Sequence, residues 1–213
     1  MQIQVITGGI LPTHSYIVTD KETNISAVVD PGFISDELFD TIQSLNRVDA
    51  ILLTHGHFDH IMGVKDIQDM TGAKIYMHQE EKDFATDCSL NLSLDLPDRQ
   101  CKDFKPDFLY VDGDRITVGN LTFHILYTPG HTNGSSCLVA KNVIFSGDTL
   151  FKGSVGRTDF PTSDSKKMIK SIERLTELEG NYTVYPAHGE FTTLDYERKT
   201  NPYMRNIAND FGY

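Results

Sequence analysis

The feature that most constrains this chain is the stretch of residues 54–60, which reads Thr-His-Gly-His-Phe-Asp-His directly after an apolar run. It brings three imidazoles and one carboxylate into six residues, and such a cluster costs desolvation free energy unless a cation compensates it. In an extended segment alternate side chains share a face, so His55, His57 and Asp59 are expected to point the same way. A polar loop that is rich in histidine by chance is the alternative, and eight histidines in the whole chain make it improbable. The stretch therefore predicts a metal site for more than one ion.

Five positions of interest, His55 and four further ones, each follow a predicted strand, which places them at the carboxyl edge of a sheet. These are Asp30, His55, His131, Asp148 and His188. Because sites in layered α/β folds lie beyond the carboxyl ends of strands, these side chains are expected along one edge. The pattern recurs in both halves of the chain. It predicts a single domain over residues 1–213, built from two similar halves of about 1–108 and 109–213.

Apolar residues at helical spacing predict three helices, over residues 35–45, 60–71 and 163–178. Residues 88–108 show no such periodicity. They are interpreted either as a lid over the site or as an inserted surface loop.

Three histidines lie outside the main motifs. His78 and His124 occur in strand-like contexts and are interpreted as structural. His14 follows a glycine turn and is a weaker candidate to approach the pocket.

Composition excludes several classes of function. The formal net charge of −11 argues against a nucleic-acid partner and against an anionic membrane surface. No run approaches the ~20 apolar residues of a membrane-spanning helix, and residues 1–5 do not resemble a signal peptide. The three cysteines lack metal-type spacing, which favours reduced thiols. A cytoplasmic protein with no membrane or nucleic-acid partner is expected.

The metal-competent side chains divide into two ligand sets. A catalytic zinc-type ion uses about three protein ligands plus water, and the first set consists of His55, His57 and His131. The second set consists of Asp59, His60 and His188, with Asp148 bridging the two ions. Zinc is the first expectation, and iron or manganese would also suit these ligands.

Two ions held ~3.5–4 Å apart share a hydroxide, because metal binding lowers the pKa of water from ~15.7 to ~7. The second ion would polarise a substrate carbonyl and stabilise the developing oxyanion. Asp59, bound through one oxygen, is the candidate to carry the proton to the leaving group. The residues thus predict a metal-dependent hydrolase, and a metal-stabilised scaffold is the non-enzymatic alternative.

Four ordered motifs carry a family resemblance. They are residues 54–60 (THGHFDH), 128–132 (TPGHT), 146–151 (SGDTLF) and 186–189 (PAHG), and together they resemble the metallo-β-lactamase superfamily. The resemblance implies a four-layer αβ/βα sandwich with the site at one edge and the ligand roles given above. It also implies that Asp30 supports the metal ligands from behind.

Within that superfamily the sequence is similar to the short glyoxalase II-like hydrolases, through residues 147–151, 156–160 and 197–202. Those enzymes cleave S-D-lactoylglutathione and related thioesters. The resemblance therefore implies a small-molecule partner, a thioester of a small thiol, which a metal-bridging hydroxide attacks. Asp148 stands where the commonest zinc β-lactamases have a cysteine ligand, so antibiotic hydrolysis is not expected.

Other activities stay open at this point. Residues 156–160 and 185–188 also resemble persulfide dioxygenases, which bind one iron through the equivalents of His55, His131 and Asp148. A lactonase or another ester hydrolase is a further alternative. RNA-processing nucleases are disfavoured by the acidic charge.

One departure from glyoxalase II affects substrate binding. The Lys/Tyr pair of that family is replaced by Arg157 and Asp159. Arg157 is a candidate to clamp a substrate carboxylate with both arms of its guanidinium group. A structural ion pair between Arg157 and Asp159 is an equally weighted alternative.

Overall fold

Two six-stranded sheets form the centre of the described chain, which comprises residues 1–94, 96 and 101–205 of a computed structural model. The strands of the first sheet stand in chain order. They are β1 Gln2–Gly8, β2 Thr13–Asp20, β3 Ile25–Val29, β4 Arg47–Leu52, β5 Lys74–His78 and β6 Phe108–Tyr110. The pairs from β1 to β3 are antiparallel, whereas those from β3 to β6 are parallel.

The second sheet has the order β14-β13-β10-β9-β8-β7, and a separate two-stranded hairpin pairs β11 with β12. Its strands and the hairpin are β7 Arg115–Val118, β8 Leu121–Tyr127, β9 Ser136–Ala140, β10 Val143–Gly147, β11 Leu150–Phe151, β12 Ser154–Val155, β13 Thr183–Pro186 and β14 Thr192–Thr193. Only the pair β10–β13 is parallel among the described pairs of this sheet.

Several of the α-helices begin after a side chain that caps their first turn. The α-helices are α1 Asp36–Gln43, α2 Phe58–Ile61, α3 Val64–Thr71, α4 Ser165–Thr176 and α5 Leu194–Thr200, with a 3₁₀ helix at Gln79–Ala85. Ser35 caps α1 by accepting from the Leu38 amide, and Asp164 caps α4 by accepting from two amides of its first turn. Gly72 ends α3 in the left-handed conformation that glycine tolerates.

Three apolar cores separate four layers, and adjacent residues of one strand enter different cores. Val28 packs toward α1 and α3, whereas Val29 faces the second sheet. Phe145 lies between the sheets, whereas Ile144 packs toward α4 and α5. Because both faces of the central strands are buried, these strands read as continuous apolar runs. The predicted four-layer αβ/βα sandwich is confirmed.

The strand ends place the motifs at one edge. Asp30 follows β3, and the histidine stretch follows β4, which runs parallel to β3. In the second sheet Asp148 follows β10 and His188 lies two residues beyond the parallel strand β13. Parallel neighbours end on the same side, so each sheet contributes its motifs to a common edge, as predicted.

One helix differs from its prediction. The sequence predicts a single helix over 60–71, but α2 begins at Phe58 and a break at Gly63 separates it from α3. The loop after β3 causes the break, because Pro31 O accepts from the Gly63 amide at 2.8 Å. A Cβ at Gly63 would approach backbone oxygens of that loop to 3.0 Å or less. The chain therefore turns before α3 begins.

Residues 88–108 pack against the first core where the structure describes them. Cys101 and Phe104 are buried in that core, and Asn91 O accepts from the Phe58 amide at 2.8 Å. Residues 95 and 97–100 lie outside the described residues, so the lid and the surface loop both stay predictions. The single domain with two similar halves likewise stays a prediction. No helix among the described residues has the length and apolarity to cross a membrane.

Candidate metal centre

Three imidazoles converge at the first half of the site. The Nδ1 atom of His57 lies 3.1 Å from His55 Nε2 and 2.9 Å from His131 Nε2. All three residues are buried. His131 Nδ1 donates to the carbonyl of Arg157 at 2.9 Å, so its Nε2 carries a lone pair rather than a proton if the ring is neutral. The three nitrogens are therefore arranged around one point, as a metal ion requires.

A second group converges beside the first. Asp59 Oδ2 lies 3.2 Å from His188 Nε2 and 3.9 Å from His60 Nε2. The alternation predicted for residues 55–59 is wrong at its last position, because α2 begins at Phe58 and Asp59 leaves the extended segment. The carboxylate of Asp59 consequently faces His60 and His188 instead of joining the three imidazoles.

Asp148 stands between the two groups. Its Oδ2 lies 3.4 Å from His131 Nε2, and its Oδ1 lies 3.5 Å from His60 Nε2 and 3.6 Å from His188 Nε2. One carboxylate oxygen thus faces each group, which is the arrangement of a bridging ligand. All seven candidate ligands belong to triads whose ligand atoms lie within 4.8 Å of one another.

The ring of His60 is supported from behind by Asp30. Asp30 Oδ2 accepts from His60 Nδ1 at 2.9 Å and from Thr54 Oγ1 at 2.5 Å, while Oδ1 accepts from the Thr54 amide at 2.7 Å. These bonds leave His60 Nε2 to face the site. The position that the resemblance implied for Asp30, behind a ligand, is the one it occupies.

Glu81 supports two motifs at once, and the sequence offered no signal for it. Its buried carboxylate accepts from the Gly56 amide at 2.9 Å and from the Gly134 amide at 2.7 Å. Gly56 separates His55 from His57, and Gly134 lies three residues after His131. A Cβ at Gly134 would come within 2.4 Å of the Glu81 side chain, so the close approach requires glycine. Burial raises the pKa of Glu81 to about 7 despite these bonds.

The charges of the candidate ligands suit a cation. Burial and the neighbouring imidazoles lower the pKa of His57 to about 3 and that of His55 well below its usual range. Burial opposes ionisation of Asp59 and Asp148, but the nearby histidines outweigh it and lower both carboxyl pKa values. Burial also opposes the charged forms of His60 and His188, but the carboxylates around them outweigh it and raise both imidazole pKa values. The site therefore offers neutral imidazoles at His55 and His57 and ionised carboxylates, and a metal ion would displace the protons that the carboxylates hold on His60 and His188.

Buried polar atoms without partners test whether a metal fits. Among the described residues, His60 Nε2 and Asp148 Oδ1 are buried and have no hydrogen-bond partner, although they face each other at 3.5 Å. Unpaired buried polar atoms are costly, and native structures rarely keep them. A divalent cation between them would satisfy both atoms. The residues present thus fit a metal, and nitrogen and oxygen donors of this kind suit zinc, iron or manganese.

Arg157 and Phe160 form the rim next to the three imidazoles. The Phe160 ring stands edge-on to His57 and His131, with centroids 5.4 and 5.8 Å away. Arg157 lies over that ring at 4.2 Å and pairs with Asp159 through two 2.7 Å hydrogen bonds. The ion pair named as an alternative is present, and a role of Arg157 in substrate binding stays a prediction.

The three remaining histidines differ in their surroundings. His78 stacks on Tyr127 with ring centroids 4.6 Å apart, and His124 is exposed on β8. Neither side chain is part of the two ligand groups. His14 does approach the site, because its Nε2 lies 2.8 Å from the carbonyl of Gly189, next to His188.

Helix α5 supports the chain segment that follows Asp148. Buried Glu197 accepts from the Gly153 amide at 2.8 Å and from Thr192 Oγ1 at 2.6 Å. Buried Asn201 donates to Ser154 O at 3.1 Å and to Glu197 at 2.9 Å. Residues 197–202, which the sequence singled out by resemblance, thus hold the β11–β12 hairpin in place.

Comparison with known proteins adds a family and a set of relatives. The family model of the metallo-beta-lactamase superfamily matches residues 8–188. The hydroxyacylglutathione hydrolase GloC of Haemophilus influenzae is 31% identical over 220 residues, which cover 97% of this chain and 99% of GloC.

Solved structures agree with this assignment. The crystal structure of BLEG-1 B3 metallo-beta-lactamase is 32% identical with a TM-score of 0.88, and covers 95% of this chain and 99% of its own. The crystal structure of TTHA1623 in a di-iron-bound form is also 32% identical, with a TM-score of 0.83 and coverages of 94% and 99%.

Proposed function

The chain belongs to the metallo-beta-lactamase superfamily, and from this we propose that it is a two-metal hydrolase that cleaves thioesters of a small thiol. The family match and the relatives indicate a metal-dependent hydrolase with glyoxalase II-like relatives. The number of ions, the reaction and the substrate are our proposal.

The position of Asp148 carries the proposal of two ions. Its two oxygens face different groups, with His131 on one side and His60 and His188 on the other. A site for one ion needs only three or four ligands, whereas seven candidate ligands converge here. TTHA1623, which shares 32% of its residues with this chain, was solved in a di-iron-bound form.

The name of the relative GloC, a hydroxyacylglutathione hydrolase, supports the thioester. The match extends over nearly the full length of both chains, so it is not confined to the metal motifs. We therefore infer a small-molecule partner that is a thiol conjugate.

In the proposed reaction the residues of the chain have separate tasks. When bound, a pair of divalent ions would supply a nucleophilic water with a pKa of ~7 and an electrophile for the carbonyl oxygen. His55, His57 and His131 hold one position, and Asp59, His60 and His188 hold the other.

Asp59 is the residue that moves the proton. Its pKa is lowered by His60 and His188 despite burial, so the carboxylate is ionised and able to accept a proton. It would take the proton that the attacking water releases as the C–O bond forms, and pass it to the thiolate that leaves as the C–S bond breaks. Thr13 Oγ1, at the start of β2, donates to Asp59 Oδ2 at 3.4 Å and helps to orient the carboxylate.

A single-iron persulfide dioxygenase is the alternative reading of the same residues. That chemistry uses His55, His131 and Asp148, and it leaves no role for Asp59, His60 and His188. Three buried or half-buried candidate ligands that face one another therefore favour the two-ion hydrolase.

Turnover and metal content, measured on one preparation, test the proposal. We expect hydrolysis of S-lactoylglutathione with about two metal ions per chain. The panel also contains glutathione persulfide, a lactone and a β-lactam. One iron per chain with sulfite production, or preferred turnover of the lactone or the β-lactam, would contradict the thioesterase assignment.

The variant Asp59→Asn tests the role of that carboxylate. We expect kcat for the thioester to fall by about 10²- to 10⁴-fold, the usual contribution of general acid–base catalysis. Asp69→Asn, which removes an exposed carboxylate on α3, is the matched control and should retain full turnover. Unchanged turnover of Asp59→Asn would remove Asp59 from the mechanism.

A further inference from the structure

Residues at the start of β2 form hydrogen bonds with the loop that carries His188. The His14 amide donates to Ala187 O at 2.8 Å, and His188 Nδ1 donates to Pro12 O at 2.9 Å. A third contact joins His14 Nε2 to Gly189 O at 2.8 Å. These contacts involve His188 and the residues on either side of it, so the loop is tied to the first sheet at three successive positions.

The ring of His14 is oriented through both of its nitrogens. A carbonyl oxygen only accepts, so Nε2 carries the proton that it donates to Gly189 O. In the neutral ring Nδ1 then accepts from Thr7 Oγ1, which lies 2.7 Å away. Phe191 packs edge-on against the ring, with centroids 5.5 Å apart. Both neighbouring strands of the hairpin β1–β2 thus fix the side chain that reaches Gly189.

His188 depends on such contacts more than His60, the other ligand histidine of its group. Its side chain is 26% exposed, whereas that of His60 is fully buried and held by Asp30. An exposed imidazole keeps more rotamer freedom than a packed one, so hydrogen bonds must supply its orientation. Gly189, with a φ of +78°, lets the chain turn away immediately after the ligand.

We propose that His14 is a positioning residue for the second metal ion, the one that the group of Asp59, His60 and His188 would hold. By holding Gly189, it fixes the loop that directs His188 toward Asp59 and Asp148. The inference rests on the two-metal centre proposed above. It makes the β1–β2 hairpin part of the metal site, although none of its residues is a ligand. His14 thereby sets the affinity for the second ion and leaves the first ion unaffected.

Stepwise zinc affinities of the wild type and four variants test this role, measured by competition with a chromophoric chelator. For His14→Ala we expect the dissociation constant of the second ion to rise by about 10-fold, the lower end of the usual effect of residues that orient ligands. The dissociation constant of the first ion should stay within about 2-fold of the wild-type value. His14→Gln, whose amide can still donate to Gly189 O, should recover most of the second affinity. His124→Ala, at an exposed position of β8, should match the wild type.

Thr7→Val gives a milder version of the test, because it removes only the donor to His14 Nδ1 from an exposed position of β1. Its dissociation constant for the second ion should rise by a smaller factor than that of His14→Ala. The role of His14 would be overturned if both dissociation constants rose equally in His14→Ala. It would also be overturned if the dissociation constant of the second ion were unchanged in both His14→Ala and Thr7→Val. A wild-type protein that binds one zinc ion would instead overturn the two-metal centre itself.

Discussion

The carboxylate of Asp30 lies 2.9 Å from Nδ1 of His60, on the side of the ring opposite the atom that faces Asp148. Asp30 occupies the left-handed region, with a φ of +47°, which is unfavourable for a residue other than glycine. Hydrogen bonds from the amide and hydroxyl of Thr54 hold it there. The strand end after β3 thus directs a ligand that belongs to the motif after β4.

Replacing Asp30 tests this relationship. In Asp30→Asn the partner of His60 Nδ1 loses its charge, so His60 becomes a weaker and less oriented ligand. We expect the affinity for the second metal ion to fall by about 10- to 100-fold in a chelator competition assay. Asp36→Asn, an exposed carboxylate at the start of α1, is the control. Equal affinities in the two variants would contradict the role of Asp30.

Removal of metal should destabilise the protein. Without a cation, His60 Nε2 and Asp148 Oδ1 stay buried without hydrogen-bond partners. A ligand at 1,000 times its dissociation constant stabilises the folded state by about 4 kcal/mol. Scanning calorimetry should therefore show a lower Tm in excess chelator and recovery when zinc is added back. A Tm that does not respond to either treatment would argue against a metal in the native protein.

The pKa of Glu81 gives a pH dependence with a definite sign. Burial raises it from 4.5 to about 7, so between these values the folded protein keeps a proton that the unfolded chain releases. Stability contributed by this group is complete below pH ~4.5 and declines as the pH rises to ~7.

We expect the difference in unfolding free energy between the wild type and Glu81→Gln to shrink by about 3 kcal/mol from pH 4.5 to 7.5. Urea denaturation of the metal-free proteins measures it, since the other titrations cancel in the difference. Glu80→Gln, at the exposed neighbouring position, should show no such trend. A constant difference for Glu81→Gln would mean that its pKa is not raised.

Asp159 should limit what Arg157 contributes to substrate binding. Its carboxylate occupies two donors of the guanidinium group. In Asp159→Asn these donors become available, so KM for S-lactoylglutathione should fall by about 2- to 5-fold, as expected for one exposed ion pair. KM for an uncharged thioester should not change. If the lower KM disappears in an Arg157→Ala, Asp159→Asn double variant, the effect of Asp159 acts through Arg157. An equal change in KM for both substrates would exclude a role of the Arg157 charge.

Asn201 should be a stability residue without a direct role in chemistry. Its side chain is fully buried and donates to Ser154 O and to Glu197. Asn201→Ala removes both hydrogen bonds from a fully buried position, and each contributes about 0.5–1.5 kcal/mol to the free energy of unfolding. Urea denaturation measures the loss, and Lys199→Ala at an exposed position of α5 is the control. A loss no larger than that of the control would show that α5 does not depend on these bonds.

The residue pattern alone predicted the fold and the group of side chains that meet at one edge. Residues 54–60 carry donors so close together that local geometry alone must bring them near each other. Strand-to-motif spacing then predicted that His131, Asp148 and His188 would lie at the same edge, because strands of a layered fold end there. The described side chains meet as that reasoning required.

The directions in which the donors point depend on contacts between segments that are distant in sequence. The break at Gly63 and the early start of α2 come from a loop that is distant in sequence, so local periodicity predicted neither. Glu81 and His14 act through backbone groups on other elements, and such contacts leave no spacing pattern in the chain. Residue types and strand order fix which groups meet, whereas hydrogen bonds between distant segments fix which atom each group presents.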